Sequence, residues 1–458
     1  MEGFLLQQAV QRPTSFHMPG HKGSEFYRDY GHGEFLDRIM DCDITEIPGA
    51  DNLFQAEGII KDIQDRYAHL YDVDASYLLI NSTSGGLIAS VMASVPRGGK
   101  LIMARNSHKA VFNALTLAGV SPVYAYPDII EEYGISGAVS PGEIERCIEE
   151  EPEAAAVVLA SPNYYGICSD IKAIADVCHS RGKILIVDQA HGAHLEFFHR
   201  YRCGEGVPLS AERSGADIAV NSIHKTLASF TQSAVLNLNS QLVDRYVLED
   251  RLQAIQSTSP SYLLMASLDI NADIIENHGH HIFTEWKKWI DRFYSEAAEL
   301  DGINILDTPG MDRTKINIDA GVPGSELLYH LMMKDMIPEL VSGNILMCMT
   351  GIGNTKSDMK KLLKALKKFK PGNEKPEKMK APAAGKLHAV PEEWESVDLE
   401  NAAGKICAGS IIPYPPGIPL VCPGEEITEE IKDYVTELRS RGFKVVGVND
   451  KGEVRTGK

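Results

Sequence analysis

The stretch Ala216-Asp217-Ile218-Ala219-Val220-Asn221-Ser222-Ile223-His224-Lys225-Thr226 runs a short apolar strand into a polar turn, and the turn delivers one lysine flanked by His, Ser and Thr. Upstream, Lys183-Ile184-Leu185-Ile186-Val187 is another buried-type strand, and it ends on Asp188. A lysine at one strand end and an aspartate at another are the two anchors that a pyridoxal 5′-phosphate (PLP) site needs. The amine forms a Schiff base with the cofactor aldehyde, and the carboxylate holds the pyridinium nitrogen protonated. A lone Ser-x-His-Lys is otherwise an exposed lysine beside a helix start, so the reading rests on the polar groups that accompany it.

Four further clusters bear on that choice. Asn81-Ser82-Thr83-Ser84-Gly85-Gly86 sits between a strand and a helix. Hydroxyls and backbone N–H groups at a helix N-terminus cradle an anion such as phosphate, although an ordinary Ser/Thr cap has the same composition. Arg105-Asn106-Ser107-His108-Lys109 follows the next strand, where His108 either lies over an aromatic ring or caps a helix. In Asp188-Gln189-Ala190-His191-Gly192-Ala193-His194 the two histidines lack a Cys or further acid beside them, which argues against zinc. In His17-Met18-Pro19-Gly20-His21 the Pro-Gly pair breaks the helix that would bring both histidines to one face. No metal is expected at either place.

These residues need a scaffold, and the chain supplies its pattern. From Tyr77 to Ser222 short β runs alternate with helical periodicity: strands at 77–80, 101–103, 123–126 and 155–160, helices at 87–95, 109–118 and 171–180. Alternation of this kind predicts a mostly parallel sheet covered by helices, with ligands at the carboxyl ends of the strands. The polar clusters at 81–84, 105–108, 188–191 and 222–226 all follow expected strand ends. The 37 residues from Asp188 to Lys225 leave room for one intervening helix and strand. Beyond Ser240 the pattern is helical to about residue 300, then α+β, with strands at 315–318 and 345–349 and a lysine-rich helix over 356–370. The expected organisation is an N-terminal segment 1–60, a PLP-binding major domain 61–300, a small α+β domain 301–370, a Pro/Lys/Ala/Gly linker 371–391 and a C-terminal module 392–458.

Composition narrows the class. A chain of 458 residues has room for more than one domain, and 44% hydrophobic with 24% charged residues is ordinary for a soluble globular protein. A formal net charge of −18 argues against nucleic-acid or anionic-membrane partners and is compatible with a cationic substrate. The eight cysteines are scattered with no Cys-x-x-Cys pair, as expected of reduced thiols in a cytoplasmic enzyme. Neither a membrane-length apolar run nor a signal-peptide pattern is present.

With these motifs in hand, the chain resembles the Orn/Lys/Arg decarboxylases of the aspartate-aminotransferase fold (PLP fold type I), in the short form without an N-terminal receiver-like domain. The resemblance runs through Phe16-His17-Met18-Pro19-Gly20-His21-Lys22-Gly23, Asp43-Ile44-Thr45-Glu46 with Asp51-Asn52-Leu53, and Ser222-Ile223-His224-Lys225-Thr226-Leu227 with Thr231-Gln232. It continues through Ser257-Thr258-Ser259-Pro260-Ser261-Tyr262 with Met265-Ala266-Ser267-Leu268-Asp269, and through Pro413-Tyr414-Pro415-Pro416-Gly417-Ile418-Pro419-Leu420. It implies Lys225 as the Schiff-base lysine, Asp188 as partner of the pyridine nitrogen and His108 stacked on the ring. Thr83, Ser84, Ser222 and His224 would hold the phosphate, and Thr258 would reach the phosphate of a neighbouring subunit. The chain departs from the family in two places: Ser82-Thr83-Ser84 stands where Gly-Ser-Thr is usual, and Gln189 stands where the short forms carry Glu in Asp-Glu-Ala-His.

The activity implied is PLP-dependent decarboxylation of arginine, lysine or ornithine in polyamine metabolism, with arginine first because the short forms most resemble biosynthetic arginine decarboxylases. The implied setting is a cytoplasmic homodimer or higher homo-oligomer. The rivals are an aminotransferase or another PLP lyase on the same fold, and a PLP-binding regulator without turnover. Glu339 and Glu425 are acids that would suit a basic substrate side chain.

Overall fold

Seven short apolar runs form one sheet in the computed structural model, which describes residues 1–372, 382–414 and 418–458. The strands are β1 (Ala75–Leu79), β2 (Lys100–Ala104), β3 (Ser121–Ala125), β4 (Ala156–Ala160), β5 (Ile184–Asp188), β6 (Ile218–Asn221) and β7 (Ala234–Leu238). Their order is β1-β7-β6-β5-β4-β2-β3. β2 to β6 pair in parallel, and β7 runs antiparallel to both β6 and β1. The sheet is therefore mostly parallel, as the sequence pattern implies. The register that pairs Asp188 with Val220 brings Asp188 and the turn after Asn221 out at the same edge.

The central strands are buried along nearly their whole length, and helices with a periodic apolar face pack on them. Val157 and Leu159 of β4 and Leu185 and Val187 of β5 pack with Ile144, Cys147 and Ile148 of helix Pro141–Glu150 and with Ile174 and Cys178 of helix Ile171–Ser180. Each such side chain contributes about 1.5–3 kcal/mol when fully buried. The first of these helices starts at the Ser140 cap, whose hydroxyl accepts the Glu143 amide, and the second at Asp170, whose carboxylate accepts the Ala173 amide. A second core gathers the long helix Tyr262–Ala297 with the small sheet that follows it. That sheet is antiparallel throughout, in the order Asn304–Ile305, Lys315–Asp319, Ile345–Met349, Leu340–Ser342. The lysine-rich helix spans Lys356–Lys367 and buries Leu362, Leu363 and Leu366.

The helix after β1 begins earlier than its sequence suggests. Ser82-Thr83-Ser84-Gly85-Gly86 is its first turn and not a loop, because helix Ser82–Ser94 lies directly on the sheet. A Cβ on Gly86 would sit 2.6 Å from Leu79 Cδ1 and 2.8 Å from Val220 Cγ1, so the glycine is demanded by contact. At Ser82 φ is 63°, the left-handed region that glycine enters without penalty. This accounts for the family's usual glycine at the position. Ser82→Gly is expected to raise stability by about 1 kcal/mol, read as the midpoint of chemical unfolding.

The chain divides into two units, residues 1–105 with 114–376, and residues 106–113 with 377–458. In the second unit Trp394–Asp398 pairs with Glu453–Gly457 and Ile412–Tyr414 with Lys444–Val446, both antiparallel. Leu399, Ile427, Ile431, Val435 and Val454 form its core. Residues 373–381 of the expected linker, and Pro415, Pro416 and Gly417 of the C-terminal motif, lie outside the described residues. No helix among the described residues is long and apolar enough to cross a membrane.

Candidate active site

Lys225 is carried on a single helical turn, Ile223–Thr226, directly after β6. Its Nζ lies 2.9 Å from His191 Nε2. Burial disfavours the charged amine and draws its pKa down from 10.5 to about 8, against the pull of Asp188 and Glu339 and with help from the positive Lys315. Asp188 ends β5, is 6% exposed, and accepts the Ala190 amide at 3.1 Å. The strand-end lysine and aspartate singled out in the sequence thus share one electrostatic environment. In the protein without added cofactor, the pH dependence of Lys225 modification by an amine reagent is expected to have its midpoint near about 8, well below the ordinary 10.5. Asp188→Asn is expected to move that midpoint lower still, because it removes a negative charge that favours the ammonium form. Peptide mapping by mass spectrometry reads both.

Two other lysines are buried nearby, and neither is placed like Lys225. Lys315 is fully buried, donates to Asp312 Oδ2 at 2.6 Å and Thr314 Oγ1 at 3.1 Å, and also reaches the His191 carbonyl. Its role is to fix the loop that carries His191. Lys22 donates to the carbonyls of His17 at 2.5 Å and Met349 at 3.3 Å, and burial lowers its pKa to about 7. Both ammonium groups are taken up by acceptors in the fold.

The expected phosphate donors are partly gathered. Thr83 Oγ1 and Ser222 Oγ, both buried, lie 3.2 Å apart although they come from different elements. Ser84 is half-buried on the same first turn as Thr83. His224 Nδ1 donates to the Ser233 carbonyl at 2.9 Å, and burial pushes its pKa down to about 4. In the neutral ring Nε2 is then an acceptor, so His224 donates to a phosphate only when protonated. His108 precedes helix Lys109–Ala118, and its Nδ1 accepts the Ala110 amide at 3.2 Å, as in the capping arrangement. Thr258 stands on the exposed loop between helices Arg245–Ile255 and Tyr262–Ala297.

Glu339 enters the site together with two groups that the sequence did not assign to it, the His17–Lys22 stretch and Tyr164. The His17–Lys22 stretch is drawn in by long-range bonds, Gly20 N–H to the His224 carbonyl at 2.7 Å and Gly353 N–H to the Gly20 carbonyl at 3.0 Å. Glu339 accepts from the Met18 amide and from the Tyr164 hydroxyl, each at 2.9 Å. The Tyr164 ring packs against His191 at 4.7 Å between centroids. Of the two acids suited to a basic substrate, Glu339 shares this environment, whereas Glu425 belongs to the second unit and accepts the Cys422 amide at 2.8 Å. A bond spanning 321 residues leaves no local sequence signal, which is why the Met18–Glu339 pairing is not legible beforehand.

A mostly parallel sheet in this order, with a lysine on the turn after one central strand and an aspartate ending its neighbour, defines an α/β enzyme of PLP fold type I. The chain belongs to the Orn/Lys/Arg decarboxylase family: residues 2–304 match the family's major domain and residues 357–450 its C-terminal domain. An arginine decarboxylase of Halalkalibacterium halodurans is 30% identical over 97% of this chain and 94% of its own length. The constitutive lysine decarboxylase of E. coli superposes over 100% of this chain and 81% of its own, with a TM-score of 0.77 and 19% identity. The ureidoglycine–glyoxylate aminotransferase of Bacillus subtilis shares the fold over 67% of this chain and 83% of its own, with a TM-score of 0.53 and 13% identity.

Proposed function

We propose that this protein decarboxylates a basic amino acid, arginine before lysine or ornithine, with PLP held on Lys225. The observation that carries the reading is the partly buried Lys225 amine, depressed in pKa and set between His191 and Asp188 at the carboxyl edge of the sheet, in a chain of this family. The donor set fits the cofactor: an amine for its aldehyde, a carboxylate for its ring nitrogen, and paired hydroxyls at a helix N-terminus for its phosphate. Lys225 holds the first, Asp188 the second, and Thr83, Ser84 and Ser222 the third, with His224 joining when protonated. Bound PLP supplies an electron sink for the pair left when the Cα–carboxylate bond breaks.

The protein's own groups do the rest. Asp188 favours positive charge on the ring nitrogen from a buried position, where its field is weakly screened. A Lys225 amine with its pKa drawn down to about 8 is neutral far more often at neutral pH than an ordinary lysine, and attachment and exchange of the cofactor require the neutral form. His191 shares a proton with Lys225 Nζ over 2.9 Å and can hold or return the one that Cα needs. Glu339, fixed by Met18 and Tyr164, offers a carboxylate to the cationic end of the substrate.

The working protein is read as a cytoplasmic homodimer or larger homo-oligomer that shares sites through Thr258 and supplies amine for polyamine synthesis. The test is end-point product identification by mass spectrometry with arginine, lysine and ornithine each supplied alone. A decarboxylase yields CO₂ and the matching amine without a keto-acid acceptor. An aminotransferase gives product only when a keto acid is added, and a regulator gives none.

A further inference from the structure

Behind the strand ends that carry Asp188 and Lys225 lies one buried carboxylate that the mechanism above does not use. Glu212, 6% exposed, precedes β6 on the segment after helix Leu195–Arg200. Its Oε1 accepts from Asn221 Nδ2 and Asn237 Nδ2, both at 2.8 Å, and its Oε2 accepts from Gln189 Nε2 at 2.7 Å. Every side-chain donor named here is a carboxamide. Gln189 Nε2 also donates to Asn221 Oδ1 at 2.9 Å, its Oε1 accepts the Ala211 amide at 2.6 Å, and Asn237 Oδ1 accepts from Ser76 Oγ at 2.7 Å.

The three amides come from three neighbouring strands, two at the carboxyl ends of β5 and β6 and the third within β7, opposite Ala219 of β6. Gln189 directly follows Asp188 of β5, Asn221 directly precedes Ser222 and the Lys225 turn, and Asn237 lies on β7. One carboxylate therefore ties the strand end bearing Asp188 to the strand end bearing Ser222 and Lys225. Charge-assisted bonds of this kind are stronger and more directional than neutral ones, and a buried carboxylate demands that all of them form. A carboxylate at 189 in place of the amide would face that of Glu212 with no proton between them. The lost charge beside Asp188 is thus replaced, one layer back, by Glu212.

We propose that Glu212 is a positioning residue, whose carboxylate fixes Asp188 relative to Lys225 by gathering the amides of Gln189, Asn221 and Asn237. The proposal rests on the reading of Asp188 and Lys225 as the cofactor site.

The test compares wild type, Glu212→Gln and Gln189→Glu. Three quantities are measured: PLP affinity by fluorescence titration, kcat and KM per folded, PLP-loaded site, and melting without added PLP. Each variant is expected to weaken PLP binding and to lower kcat by about tenfold or more, with KM changed far less. A merely structural Glu212 would lower the melting temperature and leave kcat per loaded site unchanged, which overturns the proposal. Should Glu212→Gln not fold, Asn237→Ala removes one donor while keeping the carboxylate, and an unchanged kcat per loaded site there counts against the proposal in the same way. A wild type that binds no PLP contradicts the underlying site reading instead, so the two failures are distinct.

Discussion

Lys225→Ala is expected to abolish turnover and the visible absorption of the PLP-loaded protein while leaving the fold intact. The reason is covalent and local. Lys315 is committed to Asp312 and Lys22 to two backbone carbonyls, so neither amine is set to take the place of Lys225. The side chain of Lys225 makes its polar contact with the His191 ring and not with the backbone, so far-UV circular dichroism and the unfolding midpoint should change little. A variant that retains a reducible linkage to another lysine would remove Lys225 from the centre of the site.

The second large effect is expected at Asp188. Asp188→Asn preserves the size of a buried side chain and removes its charge, so the cofactor should remain bound while positive charge on its ring nitrogen loses support. Loss of one preorganised electrostatic partner costs about 10²–10³-fold in kcat, and a decrease of that order is expected here with KM nearly unchanged. Steady-state kinetics under saturating PLP measure it. Near-normal turnover would mean that the electron sink works without Asp188.

What the sequence makes legible follows from which forces are local. β5 and the turn after β6 stand out because short Ile/Val/Leu runs end on polar residues, and buried parallel strands require that pattern. The small sheet is equally visible in Lys315–Asp319 and Ile345–Met349. Gly85-Gly86 misleads, because two glycines read as a loop whereas both lie inside a helix, where the close contact of Gly86 with Leu79 and Val220 demands a glycine. The antiparallel turn of β7 carries no periodicity signal, since a buried strand looks alike in either direction.

The site shows the same division. Lys225, Asp188, Thr83 and Ser222 are reachable from motif and strand-end position, and the structure draws them together in two pairs. The proton partner His191 lies within a recognised motif, yet its contact with Lys225 depends on parallel register, which a linear reading does not supply. Glu339 and Lys22 join through bonds that span more than three hundred residues. Glu212 is the least visible of all, because its importance lies entirely in the three amides that converge on it.

The central claim is that Lys225 holds PLP in a basic amino-acid decarboxylase. Its most direct test is to load the protein with PLP, reduce it with borohydride, digest it and locate the phosphopyridoxyl group by mass spectrometry. The account predicts a single labelled peptide carrying the group on Lys225, with the label lowered when borohydride is added while arginine is saturating and restored once the arginine has been consumed. Label on Lys22, Lys315 or any surface lysine, with Lys225 unmodified, would contradict it.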